Sequence, residues 1–574
     1  MKDNSARFKH FFTLITVVLW YSAISAQWST DPWQNTPVNI QEYAQINPRA
    51  CSDSKGGAIV LYSEKARDLY AQRIDKNGYI LWDSCGVPIC TAAGIQKPHK
   101  IISDGNGGAI MLWFDYREVT EPVPYSTPSN TIYIQKIDSL GNLLWESSGI
   151  QLSPFRVKNE TIPYFKYQLP TSSEDVILDG VGGAYICWTL ATDSLEDVGK
   201  TEASIQHVDA AGRPIWEEMG RPVKVIYSGC DIVEDGVGGV FFFVGHKDVI
   251  RYNPAGETVW QDTVKLSLGG GFTRFVSDDK GGFIGIGHIH NHGYPDELLF
   301  ERRDENGIRI WGDIHLLTPA DINSTKSILV FKDGRSGMLL SWMMNQSDDW
   351  NVYTQHLDST GTILYLGSGV KSGINCTDNS GGWFDFGSER DSTYRIYAQQ
   401  YSYEGIPQWE EKGALVKIRA EYWYGFGQWQ FVSDLNNGVI LIWDETYHMT
   451  QFYDIMAQLV NAYGQLGQVI TAVEPEQPDF CPESFKLLPN YPNPFNGYTA
   501  LPFIIHESGE YLLTIFSVDG TEVFRRCFSY RTPGKYEFIW DAADQNGHIV
   551  SSGVYICCFS DGTQKLYRKL LMIK

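Results

Sequence analysis

Three observations predict an all-β chain. Its 574 residues carry 14% aromatics, 55 glycines and only 20% charged residues, the composition of a folded, turn-rich protein. An aspartate, a short polar turn, glycines and an apolar strand recur eight times, and a second hairpin follows each time. Helical periodicity is not sustained anywhere. Four-stranded units of roughly 45–55 residues cannot bury both faces alone, and their usual closed solution is a β-propeller. The predicted fold is an eight-bladed β-propeller, with seven blades as the alternative count, followed by a small immunoglobulin-like β-sandwich.

The first hairpin of each unit turns at Asp53 ("SDSKGGAIVLY"), Asp104, Asp179, Asp235, Asp278, Asp333, Asp378 and Asp434 ("SDLNNGVILIW"). The second reads "YAQRIDKNGYILW" in the first unit and "YIQKIDSLGNLLW" in the second, with Asp or Asn and Gly supplying tight-turn geometry. The repeated aspartates are read as turn caps and not as catalytic groups. The glutamine of the third strand (72, 135, 206, 355, 399 and 458) is read as a buried amide bridging backbone groups. The first seven units end in an aromatic: Trp82, Trp145, Trp216, Trp260, Trp311, Tyr365 and Trp409. An indole at such a place fills the space between stacked sheets while its N–H bonds a neighbouring carbonyl. The eighth unit has Gln468 instead, and the segment "WSTDPWQNTPVNI" ahead of the first unit resembles the missing tail. The N-terminal strand is therefore expected to complete the last blade and close the ring.

Residues 1–26 have the order of a secretory signal peptide: Lys2, Arg7 and Lys9, then an apolar run from Phe11 to Tyr21, then small residues to Ala26. The run is shorter than the roughly 20 residues that span a bilayer, so no integral membrane segment is expected after its removal. The propeller is assigned to 27–470, an acidic, proline-containing linker to 471–484 and the terminal domain to 485–574. The net charge of −22 is concentrated at about −21 in residues 27–473. Such a surface repels phosphate backbones, so nucleic acid is excluded as a partner. A monomer is expected. The ten cysteines are scattered without a CxxC; Cys85 and Cys90, an odd number of residues apart, point to opposite faces of a strand and are not expected to bridge.

Two resemblances follow from these motifs. The D-x-x-G-x-x-x-W hairpins resemble the tryptophan-docking repeats of quinoprotein dehydrogenases, in blade scaffold only, and more closely an abundant class of repeats in surface and secreted proteins of Bacteroidetes-type bacteria. The terminal segments "NYPNPFN", "LLTIFSVDGTEV", "GKYEFIWDAADQNGHIVSSGVYIC" and "KLLMIK" resemble, in order, the type A C-terminal sorting domain of the type IX secretion system. Gly497-Tyr498 departs from the Pro-Thr more usual after "PFN" in that family. The resemblance implies a sorting signal at Tyr491, Pro492, Asn493, Pro494, Phe495, Asn496, Gly553, Tyr555, Lys569 and Lys574. It also implies the type IX machinery as partner, and a secreted or outer-membrane-surface location reached through the periplasm.

Chemistry is sparsely signalled. In "GHIHNHGYPDE", His288, His290 and His292 share one face if the strand persists, as three imidazole ligands of a metal would, with Asp296 or Glu297 as a further ligand or base. No Ser/His/Asp elbow, phosphate-binding glycine loop or HExxH occurs, so no catalytic residue and no cofactor is assigned. Inserts at 119–131 and 189–203 lie between strands two and three of their units, and 153–175 lies between units. The function expected is binding of an extracellular polymer or protein, such as a glycan. A hydrolase or lyase with its site in the funnel, and a structural envelope protein, are the alternatives.

Overall fold

The computed structural model describes residues 28–39, 44–117, 131–153, 175–191, 201–263, 273–289, 297–317, 325–420, 428–446, 453–468, 485–490 and 495–573, short gaps within these spans aside. The chain divides into two compact units, Met1–Val469 and Ile470–Lys574. Neither contains a helix among the described residues. The signal-peptide residues 1–26 and the linker 471–484 lie outside the described residues.

The first unit is a succession of eight antiparallel sheets, the first seven each a meander in chain order. Their first strands are Gln45–Ser52, Gln96–Ser103, Asp175–Leu178, Cys230–Glu234, Thr273–Ser277, Thr325–Lys332, Cys376–Thr377 and Trp429–Ser433. Each first strand adjoins the first strand of the next sheet, and the eighth adjoins the first, so these strands surround a common axis. That is the arrangement of a β-propeller. The sixth sheet has three named strands; its fourth is reduced to the paired amides of Thr354 and Val370. The eighth takes its fourth strand from the other end of the unit: Thr36 pairs with Ala457 and Pro37 with Met456.

Local chemistry explains the recurrence. In all eight first turns the aspartate Oδ1 accepts the amides two and four residues on, at 2.7–3.0 Å. This is an Asx cap, and a following glycine at positive φ, such as Gly56 at 89°, lets the chain reverse. The third-strand glutamine acts as a second clip. Gln72 Nε2 donates to the Asp83 carbonyl at 2.7 Å while its Oε1 accepts the amides of Arg73 and Trp82. Gln135, Gln206, Gln355 and Gln399 repeat the pattern.

The tail aromatics join sheet to sheet. Trp82 Nε1 donates to the Ser139 carbonyl, Trp145 to Ala210, Trp216 to Pro254 and Trp260 to Glu305. Trp311 donates to Ser359, Tyr365 through its hydroxyl to Tyr403, and Trp409 to Ala462. Each acceptor lies in the second turn of the next sheet. The eighth bond comes from Trp28, whose Nε1 donates to the Lys76 carbonyl of the first sheet at 2.7 Å. The series thus returns to its start. The same N-terminal segment touches the seventh sheet, where the Ile418 amide donates to Pro32 and Asn35 Nδ2 to the Val416 carbonyl.

The second unit packs two sheets around one core. One holds Phe485–Leu487, Thr499–Ile505 and Gly534–Trp540; the other holds Glu522–Tyr530, Gly509–Ser517, Gly553–Ser560 and Lys565–Met572. Leu501, Phe503 and Trp540 from the first sheet meet Leu513, Phe559 and Leu570 from the second, all fully buried. Every described cysteine is a free thiol; Cys85 is exposed, while Cys90, Cys557 and Cys558 are buried.

Candidate functional site: an axial belt of charges

The repeat register places one residue four positions before each turn aspartate, on the innermost strand in every sheet but the seventh, where Ile374 precedes Cys376–Thr377. In order around the axis these are Arg49, Lys100, Asp175, Asp231, Arg274, Leu329, Ile374 and Gln430. Three cations and two carboxylates thus share one level on five consecutive sheets; Leu329 and Gln430 follow, while Ile374 is buried against Leu339 and Trp383. Register shifts fall immediately before Arg49, Lys100 and Leu329. Such bulges turn a strand and re-aim the next side chain.

The belt residues engage each other across sheets. Lys100 Nζ is ion-paired with Asp175 Oδ1. Arg49 Nε donates to the His99 carbonyl at 2.8 Å, and its Nη1 donates to Gln428 of the eighth sheet. Asp175 and Asp231 each accept the amide of the following residue, Val176 at 2.6 Å and Ile232 at 3.0 Å, which fixes both carboxylates. Burial pushes the Asp231 carboxyl up to about 7, and the Asp175 carboxylate adds to this, against the pull of Arg274 and Lys100. Asp231 is nevertheless partly accessible. At the turn end of the same strands Lys332 Nζ bridges Glu234 at 2.8 Å and Asp279 at 2.9 Å, tying the sixth sheet to the fourth and fifth.

A carboxyl that takes up its proton near neutral pH beside a second carboxylate can exchange protons with a bound group, and the flanking cations can hold an anion. The raised value also has a stability consequence. With an unfolded value near 3.8 and a folded value near 7, the folded state retains a proton that the unfolded state releases between them. Stability from this group is therefore greatest below about pH 3.8 and declines up to about pH 7. Asp231→Asn is expected to flatten that decline and to raise stability at pH 8 by on the order of 2 kcal/mol. Urea midpoints of parent and variant from pH 4 to 8 check this; parallel curves would refute it.

The residues expected from sequence fall as follows. His288 is on the second strand of the fifth sheet, Phe283–Ile289, with its backbone opposite Leu298. That strand is described as far as Ile289, and His290, His292 and Asp296 lie outside the described residues, as do most residues of the three inserts. Among the described residues, no group of three or more His, Cys, Asp or Glu side chains forms a metal cluster. Tyr491, Pro492, Asn493, Pro494 and Lys574 are also outside them. Phe495 is buried in the core of the second unit, 5.8 Å from Trp540, and Asn496 is exposed. The Phe495 amide donates to the Leu571 carbonyl at 2.9 Å, and the Ile573 amide donates back to the Phe495 carbonyl at 2.9 Å. Gly553 and Tyr555 lie on the neighbouring strand, opposite Met572 and Leu570, and Lys569 is opposite Ile556. The Tyr555 hydroxyl donates to the Ser551 carbonyl at 2.7 Å.

Sequence reasoning missed the belt. Its signal was available as a fixed offset from eight turn aspartates, but the belt residues differ in type from unit to unit, so no repeated residue marks the position.

No protein-family model matches the chain, and no curated protein matches it by sequence. Among solved structures it is similar to PorZ, an essential bacterial surface component of the type IX secretion system of Porphyromonas gingivalis. The identity is 10% and the TM-score 0.28, over 90% of this chain and 74% of that one. It is also similar to BamB from Moraxella catarrhalis, at 14% identity and TM-score 0.21 over 53% of this chain and 83% of that one. A third is dimeric latent PorU from Porphyromonas gingivalis, at 10% identity and TM-score 0.14, over 49% of this chain and 32% of that one. At these TM-scores the likenesses carry no argument, and the functional reading rests on the chain's own residues.

Proposed function

We propose that the chain is an eight-bladed β-propeller, closed by its N-terminal segment and exported by the type IX secretion system. Its second unit is an immunoglobulin-like sorting domain, and its place is outside the cell or on the outer-membrane surface. The observation that carries the delivery reading is the pairing of Phe495 with the last strand. The two ends of the sorting resemblance, "YPNPFN" and "KLLMIK", are separated by more than seventy residues, yet Phe495 hydrogen-bonds between Leu571 and Ile573. A machine reading both would read one composite edge. The blade count is supported by the eight sheet-to-sheet bonds that return from Trp28 to Lys76.

The cargo binds an extracellular polymer or protein through the axial belt and its mouth. Mixed charge at one level, with Leu329 half-exposed beside it, suits recognition of a polar chain bearing anionic groups. A second reading, a hydrolase or lyase, is favoured by the Asp175/Asp231 pair, in which Asp231 would serve as the proton-carrying acid.

Deleting residues 484–574 tests delivery. The truncated chain is expected to accumulate in the periplasm while the full chain reaches the surface, scored by protease accessibility on intact cells; surface display unchanged by the deletion would refute the proposal.

A further inference from the structure

Nine residues after the turn aspartate, the second strand of each unit carries in turn Tyr62, Trp113, Trp188, Val244, Gly287, Trp342, Gly387 and Trp443. The five aromatics are fully buried. In the second sheet three groups hold the Trp113 ring. The ring stacks on its cross-strand partner Tyr133, with centroids 5.8 Å apart and planes at 24°. Its Nε1 donates at 3.0 Å to Asp115, the carboxylate two residues on. Its far edge occupies the space beside Gly149, where an added Cβ would lie 2.1 Å from Cη2. The eighth unit repeats the second contact, with Trp443 Nε1 donating to Glu445 at 3.2 Å, and the third unit repeats the last, with Gly220 against Trp188.

The seventh unit has all three groups and lacks the ring. Gly387 stands at the position, opposite Tyr397. Glu389 lies two residues on, and Gly413 follows Trp409 by four residues, as Gly149 follows Trp145. A Cβ on Gly387 would meet nothing within 4 Å, and the residue is exposed. The vacated space is an open pocket whose wall includes Gly387, Asp385, Glu389, Tyr397, Tyr401 and Lys412. The fifth unit also has glycine here, but Gly287 is buried.

We propose that the seventh sheet binds, from outside the chain, a planar aromatic ring carrying an edge N–H, of the indole class. The ring stacks on Tyr397 and its N–H donates to Glu389. That carboxylate is already oriented: Lys412 Nζ bonds it at 2.8 Å and the Tyr397 hydroxyl at 3.3 Å. Asp385, whose Oδ2 accepts the Ser372 hydroxyl at 3.0 Å, adds a second carboxyl group to the wall. Rings bearing an amine are therefore favoured over rings bearing a carboxylate. This site is separate from the axial belt and stands whether or not that belt binds anything.

The test uses the full chain and ligand-observed NMR with indole, benzofuran, which has the same shape without the N–H, tryptamine and indole-3-acetate. Indole is expected to bind, benzofuran about two- to tenfold more weakly, and tryptamine more tightly than indole-3-acetate. Gly387→Trp fills the site from within and is expected to abolish binding; Gly387 lies on a strand and is not among the residues at positive φ. Glu389→Gln, which serves if that variant does not fold, is expected to narrow the gap between indole and benzofuran. Binding unchanged by Gly387→Trp, benzofuran equal to indole on the parent chain, or a methyl pyranoside bound where indole is not would each overturn the proposal.

Discussion

A chain carrying Trp28→Ala is expected to lose about 3–5 kcal/mol of stability, whereas Trp33→Ala, five residues on, leaves it within about 0.5 kcal/mol. Both are tryptophans of one N-terminal segment, but their surroundings differ. Trp28 is 4% exposed and Trp33 is 53% exposed. Trp28 packs with Val38, Val60 and Ile442, which brings the first and eighth sheets into one cluster, and donates the bond that returns to the first sheet. Its loss removes a large apolar side chain and leaves the Lys76 carbonyl with one donor fewer, Gln468 Nε2 being the other. Denaturant unfolding followed by intrinsic fluorescence, with limited proteolysis of residues 28–39, measures the effect; equal losses for the two variants would refute the segment's role in closing the ring.

Arg302→Leu is the second large effect, again about 3–5 kcal/mol, because it strands a buried carboxylate. Arg302 Nε and Nη2 both contact Asp278 Oδ2, at 3.0 and 2.8 Å, and Nη1 donates to the Ser359 carbonyl of the next sheet at 2.6 Å. The side chains are 5% and 1% exposed, so water does not replace the lost partner. Asp278→Asn keeps the acceptor that caps the turn and strands the guanidinium instead. The double variant is expected to recover most of either loss, giving a coupling of about 2 kcal/mol or more in a double-mutant cycle. Additive losses would show that the pair acts as two independent groups. Arg73 with Asp53 and Arg251 with Asp235 repeat the geometry in the first and fourth sheets.

What was legible in the sequence was what closes over a few residues. The turn aspartates could be read as caps because their acceptors and donors lie two and four positions apart, and the third-strand glutamines because alternation aims them inward. The tail aromatics could be assigned to sheet-to-sheet contacts because seven units have one and the eighth does not. The belt was not legible in the same way. Arg49 and Arg274 are far apart in sequence, and only the phasing of eight strands around one axis puts them on one level. Likewise "YPNPFN" and "KLLMIK" each resemble a sorting-domain segment in sequence alone, but hydrogen bonding between Phe495 and Leu571 depends on how the second unit folds. His290 and His292 lie outside the described residues, so the three-histidine face stays an expectation of the sequence.

The pairing of Thr36–Pro37 with Ala457 and Met456 also sets an order in time. Residues 28–39 are made early, and their partners arrive only after some 400 more have been added. Until then the first seven sheets can stack in sequence, each on its predecessor, with both outer faces uncovered. The entropy of closing so long a loop grows only with the logarithm of its length, so the final step is late without being prohibitive. Pulled from its N-terminus, the molecule should therefore yield first at the segment that was last to settle.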